Sequence, residues 1–213
     1  MKVNKKYKGI VTKKFNEFYC VELDKDEFSE INKKFLCKIK KSVNFRNQFI
    51  FVGDEVMIYQ IDLQSKRAII ESLVKRNNLL ERPSVANISN IYVVCSVEEP
   101  KLNLSQVNKF LISAEQIGVE VSLVLTKCDL ITEEKRLSLI EKFQQWGYQA
   151  ITLNFNNPEN LRNLLIELKN KKCSILMGPS GVGKTTLLNM IIPGLDNKTA
   201  PVSSKIKRGK NTT

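Results

Sequence analysis

The chain has 213 residues, 42% of them hydrophobic and 26% charged, which is ordinary for a folded protein and leaves room for one large domain or two modest ones. Its formal net charge of +12 points either to a polyanionic partner (RNA, DNA or an anionic membrane) or to a lysine-rich solvated surface. Cysteines stand at 20, 37, 95, 128 and 173, an odd number with no C-x-x-C spacing, and there is no histidine, so a disulfide framework or a Cys/His zinc site is not expected.

The N-terminus, Met1-Lys2-Val3-Asn4-Lys5-Lys6, leads into no apolar leader region, and no apolar run reaches membrane-spanning length. The cell interior is therefore the expected compartment. Residues 7–23, 35–43, 49–61 and 67–73 are β-branched or aromatic runs, punctuated by turn residues such as Gly53-Asp54 and Asp62-Leu63-Gln64-Ser65. Four or five short strands within residues 1–76 predict a small all-β barrel of the OB type. Residues 1–80 hold 17 basic against 10 acidic side chains, and residues 81–213 hold 17 against 12. Lys2, Lys5, Lys6, Lys8, Lys13 and Lys14 alternate with Tyr7, Phe15 and Phe18. Such a surface can attract phosphates and stack bases, although the same aromatics can equally fill the core of so small a barrel.

Residues 77–84, with Asn77-Asn78 and Arg82-Pro83-Ser84, read as a polar linker. From residue 85 to 213 the texture changes to alternating strand and helix. Strands are expected at 88–97, 119–125, 148–153 and 173–177, and helices at 104–117, 133–146 and around 161–168. Repeated strand–helix units predict a mostly parallel sheet with helices on both faces.

Two stretches at strand ends carry chemistry. The first is Thr126-Lys127-Cys128-Asp129. Guanine presents two donors, N1–H and N2–H₂, on one edge, and a carboxylate can accept both where adenine offers no such pair. The lysine stem can lie along the base. Alone, the four residues could be a polar turn. The second stretch is Gly178-Pro179-Ser180-Gly181-Val182-Gly183-Lys184-Thr185, set between an apolar strand and a helical run that begins with Thr186. This G-x-x-x-x-G-K-[ST] pattern lets a backbone curl with its N–H groups inward, at a helix N-terminus, around phosphate. Lys184 can reach the β- and γ-phosphates, and the Thr185 hydroxyl can ligate Mg²⁺. Without the ligand the pattern reduces to a Gly-rich turn. Together the two stretches describe a guanine-nucleotide site, whereas an ATP site would make no use of Asp129.

Their order is inverted relative to Ras-like GTPases, in which the phosphate loop comes first. Joining old termini and opening a new break, a circular permutation, preserves such a site. With that order, Phe51-Val52-Gly53-Asp54-Glu55-Val56, Arg76-Asn77-Asn78-Leu79-Leu80-Glu81-Arg82-Pro83 and Ala86-Asn87-Ile88-Ser89-Asn90-Ile91, the chain resembles the RsgA/YjeQ family of circularly permuted GTPases that assist maturation of the small ribosomal subunit. The resemblance implies an OB-like barrel followed by an α/β GTPase domain. It further implies GTP/GDP and Mg²⁺ as ligands, small-subunit and 16S-type rRNA as partners, no membrane, a monomer and a cytoplasmic location. By position, Thr126, Lys127, Cys128 and Asp129 would form the guanine loop. Asn154 would stand where the family has a serine facing guanine O6. Residues 178–186 (Gly178, Pro179, Ser180, Gly181, Val182, Gly183, Lys184, Thr185 and Thr186) would hold the phosphates. Gly209-Lys210-Asn211-Thr212-Thr213 resembles the family's switch I, in which either Thr212 or Thr213 would close over the metal and γ-phosphate.

Two departures bear on activity. Asn211 stands where the family has a histidine, and an amide cannot act as a general base. The sequence stops at Thr213, before the D-x-P-G loop and the zinc-binding domain that the resemblance implies, so a truncated product without its own zinc site is expected. The expected activity is hydrolysis of GTP to GDP and phosphate. The alternative is a hydrolysis-impaired module that binds nucleotide and docks on the ribosome.

Overall fold

A computed structural model describes residues 2–3, 5–23, 33–40, 49–169 and 171–192. Residues 209–213, with Asn211, Thr212 and Thr213 among them, lie outside the described residues. The chain divides into two compact units, Met1–Ile88 and Ser89–Thr213.

In the first unit, β1 (Lys2–Val3), β2 (Tyr7–Phe15), β3 (Phe18–Leu23), β4 (Lys34–Ile39), β5 (Glu55–Asp62) and β6 (Arg67–Leu73) share one sheet. Strands β2, β3 and β4 pair antiparallel in succession, and β4 pairs parallel with β6. Strand β5 closes the circle by pairing with both β2 and β6, giving a closed five-stranded barrel. The alternation that predicts the strands also fills the barrel: Tyr19, Val21 and Leu23 of β3 are buried, as are Phe35 and Cys37 of β4. Closure requires coiled strands, and a register shift between Val11 and Lys13 supplies a bulge in β2. The β2–β3 turn uses Asn16 at φ 48°, a left-handed value that asparagine tolerates.

One buried ion pair fixes the end of this unit. Asp54 is fully buried and accepts from Arg76 Nε at 2.6 Å, Arg76 Nη2 at 2.7 Å and the Phe51 amide at 2.8 Å. Arg76 also donates to the Phe49 carbonyl and lies 5.0 Å from the Phe51 ring centre. Beside it, Gly53 has φ 87°, and a Cβ there would fall 2.0 Å from the Ala86 carbonyl oxygen. Within and just after the polar segment 77–84 the chain forms a small hairpin that makes this approach. Strands β7 (Leu79–Glu81) and β8 (Ser84–Ala86) form a hairpin held to Val52 and Gly53 by the Ala86 amide and the Asn87 side chain. The Asn78 side chain then bonds both the amide and the carbonyl of Ile88.

In the second unit, β9 (Asn90–Ser96), β10 (Glu120–Thr126), β11 (Ala150–Thr152) and β12 (Ser174–Met177) form a parallel sheet in the order β11–β10–β9–β12. Every residue of β9 is buried, as its continuous apolar run predicts for a central strand. Helix α1 (Leu104–Glu115) starts where Asn103 caps Gln106, and it buries Val107, Leu111 and Ala114. Helix α2 (Glu133–Gln145) is capped by Thr132 and carries Glu133 and Glu134 in its first turn. Helix α3 (Pro158–Lys169) joins β11 to β12, and Tyr92 of β9 holds it by donating to Glu167 at 2.9 Å. Leu164 of α3 and Leu187 of α4 (Lys184–Ile191) pack with Tyr92, Val94 and Val124. Because β10 and β12 flank β9, the loops that leave their C-terminal ends share one edge of the sheet whatever their order along the chain.

Truncating Arg76 to alanine strands a buried carboxylate. Arg76→Ala is expected to cost the barrel unit about 3–5 kcal/mol in urea unfolding. A cost below about 1 kcal/mol, the range of exposed pairs, would contradict this reading.

Candidate functional site

The site is built at the C-terminal edge of the sheet. Met177, the last residue of β12, is in register with Val93, and Thr126, the last of β10, is in register with Ser96. The chain leaving β12 turns sharply over β9. Gly178 takes φ 148°, and a Cβ on it would lie 2.0 Å from the Val94 carbonyl oxygen. Only a glycine lets the loop cross there. Gly181 at φ 81° and Gly183 at φ 95° continue the curl.

The curl carries the glycine-rich loop to the end of β10. The Thr126 hydroxyl, fully buried, donates to the Val182 carbonyl at 2.6 Å, with the Cys95 carbonyl farther off at 3.4 Å. Two stretches 56 residues apart in the chain are thereby joined by a direct hydrogen bond. Gly183 is the N-cap of α4 and brings no capping side chain, so the first amides of the helix are not capped from within. Lys184 folds back over the loop, its ammonium donating to the carbonyls of Gly178 at 2.9 Å and Pro179 at 2.6 Å. Burial depresses its pKa below the ordinary lysine value. Pro179, Ser180, Thr185 and Thr186 are all half-buried along the same loop and first helical turn.

On the other side, Lys127 adopts a left-handed backbone, φ 57° and ψ 36°, and its ammonium donates to the Glu99 carbonyl. Cys128 is buried under the turn with its thiol directed at the Leu125 carbonyl, and burial pushes its pKa up to about 11. Asp129 is exposed at the rim. The strand β11 loop is tied to this turn: the Leu153 amide bonds the Leu125 carbonyl at 2.7 Å, and the Cys128 amide bonds the Leu153 carbonyl at 3.4 Å. Asn154 accepts the Asn156 amide on its side-chain oxygen at 2.8 Å, which closes a local turn at the end of this loop.

Thr126, Lys127, Cys128, Asp129, Asn154 and residues 178–186 thus lie around one edge, while Thr212 and Thr213 fall outside the described residues. Two neighbours escape the sequence reading. Glu99 acts through a backbone carbonyl, which no residue type betrays. Phe155, beside Gly183, is an aromatic directly after Asn154 and could have been flagged. The Thr185 hydroxyl is a hard oxygen donor suited to Mg²⁺, and no cluster of three metal-ligating side chains occurs among the described residues. That donor set fits a cation held mainly by phosphate and water.

The profile of the RsgA GTPase family matches residues 73–213. The chain is 40% identical to the small ribosomal subunit biogenesis GTPase RsgA of Prochlorococcus marinus strain NATL1A, over 98% of this chain and 69% of that protein. It is 37% identical to the protein of the same description from strain NATL2A, with the same coverage. Among solved structures it is similar to YjeQ from Thermotoga maritima, with a TM-score of 0.79 and 31% identity over 91% of this chain and 68% of the other. YloQ, described as a circularly permuted GTPase, shares the fold at a TM-score of 0.77 and 23% identity, over 92% of this chain and 67% of the other.

Gly178→Ala would force a side chain onto the Val94 carbonyl. It is expected to weaken binding of a fluorescent guanine nucleotide by at least about tenfold, some 1.4 kcal/mol. Wild-type affinity in that variant would mean that the loop does not need the close crossing.

Proposed function

Because the chain belongs to the RsgA GTPase family, we propose that it binds GTP and hydrolyses it to GDP and phosphate while assisting maturation of the small ribosomal subunit. The observation that supports this reading most is the bond from Thr126 to Val182, which joins the turn at 126–129 to the loop at 178–186. Asp129 accepts the two donors of the guanine edge, the Lys127 stem lies against the base, and the backbone after Asn154 meets the guanine carbonyl. The loop from Gly178 to Thr186 surrounds the phosphates.

Phosphoryl transfer asks little covalent chemistry of a protein and much electrostatic positioning. The ammonium of Lys184, now on the carbonyls of Gly178 and Pro179, exchanges them for β- and γ-phosphate oxygens, whose full charge attracts it more strongly. Its depressed pKa then rises again, so it stays charged where negative charge accumulates. Amides at the start of α4 donate to the same oxygens. Thr185 would hold Mg²⁺, which when bound neutralises the developing charge on the phosphates.

The barrel, 1–76 with the segment that follows it, serves as the ribosome-facing module, and the α/β unit serves as the nucleotide switch, in a monomer working in the cytoplasm. Support for rRNA contact comes from the barrel's lysines and aromatics. Lys5 lies over Tyr7 and Lys38 over Phe18, and Phe15 is 54% exposed. Lys6 and Lys8 are engaged with Glu71 and Glu55 at 2.7 Å, so the positive face is narrower than the sequence suggests. No helix among the described residues is long and apolar enough to cross a membrane.

The test is GTP turnover by this chain with and without purified small ribosomal subunits, run beside Asp129→Asn. Turnover is expected to rise with subunits, and the variant is expected to lose about a hundredfold of its GTP-over-ATP preference. Turnover indifferent to subunits would refute the ribosomal role. Unchanged discrimination in the variant would refute the base assignment.

A further inference from the structure

We infer that Phe155 is a positioning residue that holds the phosphate loop against the base-recognition turn, an inference that rests on the nucleotide reading above. A Cβ built on Gly183 would lie 2.8 Å from Phe155 Cε2 and 2.9 Å from Cζ. The ring edge therefore occupies the space that any side chain at 183 would need. The same ring packs into the apolar cluster that contains Val182 and Leu187, one residue before and four residues after Gly183. Gly183 is where the loop becomes helix α4. A shift there moves Lys184, Thr185 and the first helical amides together.

Phe155 itself is held firmly. The Asn154 side chain bonds the Asn156 amide and the Asn157 amide bonds the Asn154 carbonyl, closing a tight turn around residue 155. Leu153, two residues earlier, exchanges backbone bonds with Leu125 and Cys128 of the base-recognition turn. A continuous path of contacts thus runs from that turn through Leu153 and Phe155 to Gly183. It is separate from the bond between Thr126 and Val182, and it adds a steric stop where that bond supplies an attraction. A phenyl ring has few rotamers to lose, so it can define a position at small entropic cost. The contact lies on the phosphate side, and Asp129 takes no part in it. Residue 155 should therefore set how tightly the phosphates are held without setting which base is chosen.

The experiment measures GDP, GTP and ATP affinities of the wild-type chain, Phe155→Ala and Phe155→Leu, well below each protein's unfolding midpoint. Phe155→Ala is expected to weaken GDP and GTP about tenfold with the GTP-over-ATP ratio unchanged. Phe155→Leu, which refills the space, should return affinity to within about twofold of wild type. If Phe155→Ala lowers the unfolding midpoint but binds GDP as tightly as wild type, the ring is core packing alone and the inference is wrong. It is equally wrong if affinity and base preference collapse together. A wild-type chain that binds no guanine nucleotide, or binds ATP as well, would overturn the nucleotide reading and this inference with it.

Discussion

A hydroxyl removed from water has to donate its proton somewhere, and the fully buried hydroxyl of Thr126 has an acceptor 2.6 Å away in the Val182 carbonyl. That acceptor is available because Val182 stands between two glycines in left-handed conformations, Gly181 and Gly183. They turn the peptide so that one carbonyl reaches β10 while the loop curls around the space where phosphates would sit. The sheet order β10–β9–β12 sets the two stretches on either side of a single strand. Inverting their order along the chain leaves the site unaltered, since only adjacency at the strand ends matters.

The two units use the same device to bring backbone against backbone. At Gly53 the space of a missing Cβ is taken by the Ala86 carbonyl, and at Gly178 it is taken by the Val94 carbonyl. In the barrel the crossing is reinforced by the buried pair of Asp54 and Arg76; in the α/β unit it is reinforced by the bond at Thr126. The charge of the chain is also organised locally. Several barrel lysines are spent on carboxylates or on aromatic faces, including Lys6 on Glu71, Lys8 on Glu55 and Lys40 over Tyr59. These pairings fix where particular lysines lie on the barrel, while the net charge of +12 is the excess left after every acidic side chain is counted.

What could be seen in the sequence was whatever chemistry forces on residue type. A loop that curls as this one does needs glycine at 178, 181 and 183, and under the proposed reading a carboxylate at 129 would fit a guanine edge. Alternation in β3 and the unbroken apolar run of β9 follow from burial on one face or on two. Features that act through the backbone were hidden. Residues 77–84 look like a linker because a two-stranded hairpin on a surface needs the same polar and turn-forming residues. The Glu99 carbonyl that anchors Lys127 could have belonged to any residue. The turn that Asn154 closes with the Asn156 amide is likewise a local backbone feature that residue type alone does not announce.

The most direct test of this account compares GDP affinity in Thr126→Ser and Thr126→Val. Serine keeps the hydroxyl that reaches Val182, whereas valine keeps the volume and leaves a buried carbonyl without its donor, a loss of about 1–3 kcal/mol. The account predicts near wild-type affinity for the serine variant and a loss of about tenfold or more for the valine variant. Equal affinity in the two variants would contradict it, because the phosphate loop would then hold its form without the bond.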